Sequence, residues 1–218
     1  MKRLLASFAF LFGTLMLVQA QEFRLNAYAG YVFDDRVDSY YSNTSYFDGT
    51  INGGLLWGAG LEYKPSKYQG IELLYMRQDT DAPTTYYDNG ISPGVKSKTF
   101  DFSANWIMLG TTRYMVNNPK IEPYFGGGLG VGIMNVSNPT SGSSESSTKF
   151  AWHIKGGLNF WASEKVGIKL QANLMSAVQA VGGGLYFGTG GGGAGVSSYS
   201  SMLQFGLGGG LVFRFPKK

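Results

Sequence analysis

Apolar and polar residues alternate with a period of two along most of this chain. From Phe23 to Phe33 every second residue is apolar, and the residues between are mostly polar or small. Successive side chains of a β-strand point to opposite faces, so such a segment has one apolar face and one polar or glycine-rich face. The pattern recurs, with exceptions, in eight segments: 23–33, 51–64, 70–78, 99–114, 121–134, 150–161, 166–174 and 199–215. The sequence therefore predicts an all-β fold.

The faces of each predicted strand follow from residue parity. In residues 99–114 the even-numbered residues, such as Phe100 and Tyr114, are assigned to the apolar face, although Ile107 and Leu109 are exceptions. The odd-numbered residues, including Arg113, are assigned to the polar face. By the same reasoning three tryptophans are expected on apolar faces: Trp57, Trp106 and Trp152.

The connections between the predicted strands alternate in length. The short ones are 65–69, 115–120 and 162–165. The long ones are about 34–50, 79–98, 135–149 and 175–198, and they are rich in Asp, Ser, Thr, Asn, Tyr and Gly. Short turns at one end and long loops at the other are typical of a bacterial outer-membrane barrel.

The composition excludes several other classes. Gly accounts for 33 of 218 residues, charged residues for 15% and aromatic residues for 15%. Disordered chains have few aromatic residues and much charge, whereas Gly at this density would break the helices of a soluble α-helical enzyme. The absence of Cys excludes disulfide scaffolds and thiolate metal sites.

A closed barrel fits the alternation better than a soluble β-sandwich. The outward face of a sandwich must carry enough charge to stay soluble, but here the polar face consists mostly of Gly, Asn, Gln and a few charges, as in Gly126 to Gly132. Such a face suits a narrow interior, and aromatic residues near the strand ends suit two membrane interfaces. Because a sheet in lipid must close, we predict an eight-stranded antiparallel up-and-down transmembrane β-barrel.

The first twenty residues have the features of a secretory signal peptide. Lys2 and Arg3 precede an apolar run, and Val18-Gln19-Ala20 resembles a small-residue cleavage site. The prediction is therefore a signal peptide at residues 1–20 and one barrel domain at residues 21–218. Without Lys2 and Arg3 the chain has 16 basic and 14 acidic residues, and no basic patch supports nucleic-acid binding.

Two motifs resemble those of a known superfamily. Residues 121–131, IEPYFGGGLGV, are similar to the Pro-Tyr-x-Gly-x-Gly-x-Gly strand of the small outer-membrane β-barrels that include the OmpA transmembrane domain and OmpX. Residues 211–215, LVFRF, resemble the alternating aromatic C-terminal strand that barrel-assembly machinery recognises in that superfamily. The terminal Phe of the superfamily is here followed by Pro216-Lys217-Lys218. The resemblance implies an outer-membrane location but no single activity.

Charged residues on the polar faces are predicted to lie in the barrel lumen. The acidic residues are Glu62, Glu72 and Glu122, and the basic residues are Arg24, Arg113, Lys155, Lys169 and Arg214. One interpretation is an ion path or a carboxylate pair for acid–base chemistry. The favoured interpretation is a buried network of ion pairs that fills the barrel, because an unpaired charge there would be costly.

His153, the single His, is predicted to join this lumen network as a polar side chain. A related small barrel, the lipid A deacylase, has an outward-facing His-x-Ser motif that acts with a Glu. Here the residue two positions after His153 is Lys155, and His153 has the lumen parity, so a nucleophile with a matched base is missing. No catalytic residue, cofactor or metal site is predicted.

The first two long connections combine aspartates with aromatic residues. The aromatic residues are Tyr40, Tyr41, Tyr46 and Phe47 in the first and Tyr86 and Tyr87 in the second. Tyr-rich loops give rigid contact area for adhesion or ligand capture. The alternative is a solvated loop shielded by lipopolysaccharide.

The functional hypothesis is a monomeric, non-enzymatic outer-membrane protein. Its role would be envelope integrity or surface contact through the four long loops, with lipopolysaccharide, outer-membrane lipid, the barrel-assembly machinery and an unidentified surface ligand as partners. The alternatives are a narrow channel for small solutes or ions and, third, a lipid-modifying enzyme.

Overall fold

The computed structural model describes residues 22–42, 45–89, 93–140, 142–178, 184–188, 191–195 and 202–216. The predicted signal peptide and the final two lysines lie outside this part of the chain. Among the residues described, no helix has the length and apolar character needed to cross a membrane.

Every regular element in the described ranges is a β-strand. The strands are β1 (Glu22–Val32), β2 (Asp35–Ser42), β3 (Ser45–Ile51), β4 (Gly54–Ser66), β5 (Gln69–Asp88), β6 (Gly94–Tyr114), β7 (Ile121–Ser137), β8 (Ser144–Trp161), β9 (Val166–Val178), β10 (Gly184–Gly188), β11 (Gly191–Gly195) and β12 (Met202–Pro216).

Eight of these strands form a closed antiparallel ring in the order β1-β4-β5-β6-β7-β8-β9-β12. The ring closes because β1 pairs with both β4 and β12 while β5 pairs with both β4 and β6. The predicted eight-stranded barrel is confirmed. The other four strands are the hairpins β2–β3 and β10–β11, which lie in the first and fourth of the predicted long connections.

The strands are strongly staggered around the ring. Following the register partners of Arg24 from β4 through β9 leads to Gln204 on β12, whereas the direct partner of Arg24 on β12 is Arg214. The stagger is therefore ten residues (214 − 204). A stagger of this kind tilts the strands and fixes a lumen just wide enough for side chains to fill.

Glycines allow the inner wall of the barrel to approach closely. A Cβ atom on Gly130 of β7 would lie 2.1 Å from the Ile107 carbonyl oxygen, and one on Gly210 of β12 would lie 1.7 Å from the Ala27 carbonyl oxygen. Both positions therefore exclude any side chain unless the backbone moves.

The outer wall of the barrel is apolar over a continuous belt. Large apolar side chains such as Leu61, Leu109, Phe125 and Leu207 are half or more exposed. A water-soluble protein rarely exposes apolar surface on this scale, whereas lipid-facing strands require it.

The predicted faces of the fourth segment are reversed. In β6, Phe100, Phe102 and Trp106 point into the barrel and are at most 2% exposed, whereas Ile107 and Leu109 face outward. The prediction was wrong because both parities of this segment carry apolar residues. The inward residues line an apolar part of the lumen near the long connections.

Strands β5 to β8 continue beyond the apolar belt. Their outward residues change from apolar to polar between Tyr75 and Arg77 on β5 and between Ile107 and Asn105 on β6. The same change occurs at Ile133/Asn135 on β7 and at Phe150/Thr148 on β8. We call the parts of β5 to β8 beyond these points the loop-end extension.

In the loop-end extension the alternation has the opposite sense, with apolar residues inside and polar residues outside. The buried residues include Ala82, Tyr86, Phe100, Phe102 and Val136. They pack with buried residues of the β2–β3 hairpin, Val37 and Ile51. Residues predicted as long connections between strands therefore form paired strands around an apolar core.

Candidate functional site

Glu122 is the centre of a polar cluster in the lumen near the short turns. Arg24 donates two hydrogen bonds to its carboxylate, at 2.7 Å from Nη1 and 3.0 Å from Nη2. Lys64 Nζ donates at 3.2 Å and Asn159 Nδ2 at 2.9 Å. Both charged partners of this carboxylate are themselves buried. Such a bidentate Arg–carboxylate pair fixes orientation as well as adding energy.

Aromatic rings complete the surroundings of the two cations. The Arg24 guanidinium lies 4.8 Å from the ring centroid of Tyr114 and 4.9 Å from that of Trp161. Lys64 Nζ lies 3.9 Å from the Tyr114 centroid. These cation–π contacts compensate part of the hydration that the cations lose on burial.

Glu72 forms a second cluster deeper in the lumen. Its carboxylate accepts hydrogen bonds from Tyr28 Oη at 2.6 Å and Asn26 Nδ2 at 2.7 Å, and it pairs with Lys155. Lys169 Nζ donates to the Tyr28 hydroxyl oxygen at 3.3 Å.

Glu62 connects the two clusters. It accepts a hydrogen bond from the Tyr114 hydroxyl at 2.6 Å, and Asn26 donates to both Glu62 (3.3 Å) and Glu72. The inward side chains thus bring three carboxylates together with four cations. Near the Tyr28 ring, a cavity of about 10 Å³ lies between Leu56 and Asn173, room for about one water molecule.

The structure places the predicted lumen residues as follows. Six charged residues are buried inside the barrel: Arg24, Glu62, Glu72, Glu122, Lys155 and Lys169. Arg214 lies at the rim near the short turns and pairs with Glu22 at 3.0 Å. The prediction for Arg113 was wrong. This residue is exposed on the outer surface, because the inward and outward faces of β6 are the reverse of those predicted.

Several members of the clusters were missing from the predicted lumen set. Lys64, Asn26 and Asn159 lie on the strand faces that the alternation assigned to the lumen, and all three are buried there. Their parity could therefore have added them to the predicted set. Tyr114 was assigned to lipid with the rest of its segment. Parity alone cannot distinguish a Tyr whose hydroxyl needs a buried hydrogen-bond partner from a Tyr that faces lipid.

His153 lies in the lumen as predicted, and its side chain is buried. Its Nδ1 is 3.1 Å from the Met108 sulfur, across the glycine-lined face of β7. Among the described residues, no three His, Asp or Glu side chains are grouped so that they could hold a metal ion.

The predicted contact tyrosines have different positions at the loop end. The prediction of a contact role for Tyr86 was wrong, because this side chain is 5% exposed and packs in the apolar core of the loop-end extension. Tyr87 and Tyr46 are partly exposed. Three other side chains lie outside the described part, although their strand positions are known: Tyr40, Tyr41 and Phe47.

A polar contact ties the first hairpin to the last strand. The Leu203 N–H on β12 donates to Asp35 Oδ2 at 2.8 Å. Burial raises the pKa of the Asp35 carboxyl to about 6, although the Leu203 hydrogen bond acts in the opposite direction. Asp35 therefore titrates close to physiological pH, at the loop end beyond the apolar belt.

A closed ring of eight tilted strands with an apolar outer belt and a polar, filled lumen defines a small outer-membrane β-barrel. A search of solved structures finds proteins of this class. Neisserial surface protein A (NspA) matches with a TM-score of 0.52 and 12% identity, covering 89% of this chain and 96% of that protein.

Two other small barrels also match. The N-terminal β-barrel domain of Pseudomonas aeruginosa OprF has a TM-score of 0.44 and 15% identity, covering 89% of this chain and 97% of that one. Ail of Yersinia pestis, in complex with the heparin analogue sucrose octasulfate, has a TM-score of 0.45 and 15% identity, covering 90% and 99%. No protein-family model and no curated protein matches the chain.

The likeness to NspA supports the fold alone, that of a small outer-membrane barrel. The resemblance found in the sequence is confirmed at this level. In barrels of this class the short turns are periplasmic and the longer loops are extracellular.

Proposed function

We propose that this protein acts at the cell surface by contact, through the loop-end extension, and that it is not an enzyme. The observation that carries the proposal is the β5–β6 ladder, in which twenty residues of β5 are paired continuously from Gln69 with Arg113 to Asp88 with Gly94. A strand needs about 9–11 residues to cross the membrane. The part of β5 in the loop-end extension, from Arg77 to Asp88, is longer than one such crossing and extends roughly 40 Å along the strand.

The packing of the loop-end extension supports this proposal. Buried Phe100, Phe102 and Tyr86 give it an apolar core of its own, and β3 pairs with β5 at Phe47 to Gly49. Such packing fixes the position of surface groups, and a rigid surface loses less conformational entropy on binding than a flexible loop does.

The outward face of the loop-end extension is polar and has the hydrogen-bonding groups that a contact surface requires. Thr85 and Ser97 are exposed or partly exposed and share a hydrogen bond of 3.0 Å, and Asp81 lies directly opposite Asp101. The Arg36–Asp48 pair, at 2.7 Å, lies on the neighbouring hairpin and is exposed. We expect a polar or carbohydrate-rich ligand instead of an apolar one.

The lumen gives less support to the alternative of a narrow channel. Arg24, Lys64 and Lys155 are each paired with a buried carboxylate, so ions passing through would have to disrupt these pairs. The third hypothesis, a lipid-modifying enzyme, would need a nucleophile activated by a base. The atom in contact with His153 Nδ1 is the Met108 sulfur, which is not such a nucleophile.

The remaining parts of the proposal concern location and partners. We propose that residues 1–20 are removed on export and that the barrel-assembly machinery recognises Leu211–Phe215. The folded protein is a monomer whose belt contacts outer-membrane lipid and whose loop-end extension contacts lipopolysaccharide and a surface ligand.

Shortening the loop-end extension tests the proposal. Asp81 and Asp101 are direct partners, so an Asn-Gly turn joining them removes residues 82–100 and leaves the membrane part of the ladder intact. Cells carrying this variant should adhere less to epithelial monolayers and to hydrophilic glass than cells carrying the native chain. Leakage of a periplasmic β-lactamase should be unchanged.

A control variant shortens β7–β8 instead. Joining Asn135 to Ser146 by the same turn removes residues 136–145 and leaves β5–β6 complete. Unchanged adhesion in the 82–100 variant would contradict the contact role. Increased leakage without loss of adhesion would indicate an envelope role, and open steps of the native protein in planar bilayers would indicate a channel.

A further inference from the structure

We propose that Lys67, Tyr68 and Arg113 form a binding site for the headgroup of an anionic phospholipid in the periplasmic leaflet. This inference goes beyond the proposed contact function and concerns the opposite end of the barrel. It depends on the corrected position of Arg113, which lies outside the barrel and not in its lumen.

Two cations share one exposed aromatic ring at this site. Lys67 Nζ lies 4.8 Å and the Arg113 guanidinium carbon 5.3 Å from the ring centroid of Tyr68. The Tyr114 N–H donates to the Tyr68 carbonyl at 2.8 Å, which holds the β4–β5 turn against the end of β6. The Tyr68 backbone is thus held next to the end of β6, where Arg113 lies.

The two cations have no acidic partner from the protein. Neither Arg113 nor Lys67 forms an ion pair with any carboxylate in the ranges that the structure describes. Like charges near one ring repel each other, so an anion bound close to them is favourable.

A second cation–aromatic pair near the same rim shows the contrast. The Arg214 guanidinium lies 3.7 Å from the Trp161 ring centroid, and its Nε is 3.0 Å from Glu22 Oε1. There the protein supplies the anion. At Tyr68 the described residues supply no such anion.

The position of the site indicates a lipid as the source of that anion. Arg113 pairs in register with Phe125, which is 59% exposed, and Ile71, two residues beyond Gln69, is also exposed on the belt. A phosphate held by the two cations would therefore place its acyl chains against apolar side chains. Lys and Arg near a membrane surface attract anionic lipids by about 1 kcal/mol each.

The surplus of positive charge selects the headgroup class. Phosphatidylglycerol and cardiolipin present phosphate without an ammonium group. Phosphatidylethanolamine carries an ammonium that Lys67 and Arg113 would repel. We therefore expect preference for the former class.

Native mass spectrometry of the full chain folded in detergent tests the site. We expect dioctanoyl phosphatidylglycerol to bind more tightly than dioctanoyl phosphatidylethanolamine. Arg113→Gln and Lys67→Gln should each weaken phosphatidylglycerol binding about fivefold, and the double variant should lose the preference. Arg214→Gln is the matched control, since it removes one cation near the same rim and should leave the preference unchanged.

Three outcomes would overturn the site. They are equal binding of the two lipids by the native protein, an unchanged preference in the double variant, and displacement of phosphatidylglycerol by inorganic phosphate at equal concentration. The last would indicate a free-anion site. Lys67 and Arg113 are exposed and Arg214 is partly exposed, so the variants should fold, and heat-modified mobility in electrophoresis checks this directly.

Discussion

Arg24 on β1 and Glu122 on β7 are 98 residues apart in sequence and form a bidentate ion pair across the lumen. The pair joins strands that are not neighbours in the ring, so it holds opposite walls of the barrel together. Removal of Arg24 leaves Glu122 with Lys64 and Asn159 as its remaining partners, whereas removal of Glu122 takes the paired carboxylate from Lys64 and leaves Arg24 the Glu22 contact at the rim.

Glu122→Gln should destabilise the folded barrel by about 3–5 kcal/mol, because Arg24 and Lys64 both lose their carboxylate. Urea unfolding in detergent micelles, followed by tryptophan fluorescence, measures the change. The triple variant Arg24→Met/Lys64→Met/Glu122→Leu should recover most of the loss, since it removes Glu122 together with both of its cationic partners. A single variant as stable as the native protein would show that the pair contributes little.

The corrected orientation of β6 predicts a difference between two tryptophans. Trp57 is 45% exposed on the outer wall, whereas Trp106 is fully buried in the lumen. In single-tryptophan variants, brominated lipids should quench the fluorescence of Trp57 strongly and that of Trp106 weakly. Equal quenching would mean that β6 has the face originally predicted.

The Asp35 carboxyl predicts a pH dependence of stability. Its pKa is raised to about 6 by burial, so the folded state binds a proton more tightly than the unfolded state does. The resulting stabilisation is fully present below about pH 4, the ordinary range for Asp, and is lost as the pH rises through 6.

Because Asp35 is partly exposed, the effect should be on the order of 1 kcal/mol. Urea unfolding at pH 4.5 and 7.5 measures it, with Asp35→Asn as the comparison. The variant should show a smaller difference between the two pH values. An identical pH dependence in both proteins would assign the effect to other groups.

Close approach of β6 and β7 predicts that Gly130 cannot be replaced. A Cβ at Gly130 would lie 2.1 Å from the Ile107 oxygen and 2.7 Å from the Met108 Cα, both backbone atoms. Gly130→Ala should therefore cost about 2–3 kcal/mol of folding stability. Gly156→Ala is the control, because its Cβ would meet only the Tyr124 oxygen at an ordinary 3.8 Å. Equal stability of the two variants would contradict the packing.

Alternation in the sequence predicted the closed barrel and the inward position of six charged residues, because both follow from strand parity. It did not predict the face of β6. In Phe100 to Asn105 the apolar residues point inward, as in a soluble sheet, since this part lies beyond the belt. From Ile107 to Thr111 the lipid-facing residues have the other parity. The apolar residues of this one strand thus face inward beyond the belt and outward within it. Parity alone cannot locate the residue at which the apolar face changes.

The loop ends differed from expectation for a related reason. Residues such as Asp79, Thr85 and Ser97 have the composition of loops, yet they are paired in β5 and β6. Their side chains are polar because they face water on one side of a sheet. Composition therefore indicated exposure correctly and could not distinguish a strand from a loop.

The loop-end extension belongs to four consecutive strands of the ring, β5 to β8, while in the described ranges β1, β4, β9 and β12 end near the top of the belt. The protein consequently has a front and a back when viewed along the membrane normal. A receptor or a neighbouring molecule in the same membrane would meet the continuous extension of β5 to β8 from one direction and the ends of β1 and β4, with the β2–β3 hairpin between them, from the other. Rotation of the barrel about its own axis would then decide which encounters are productive.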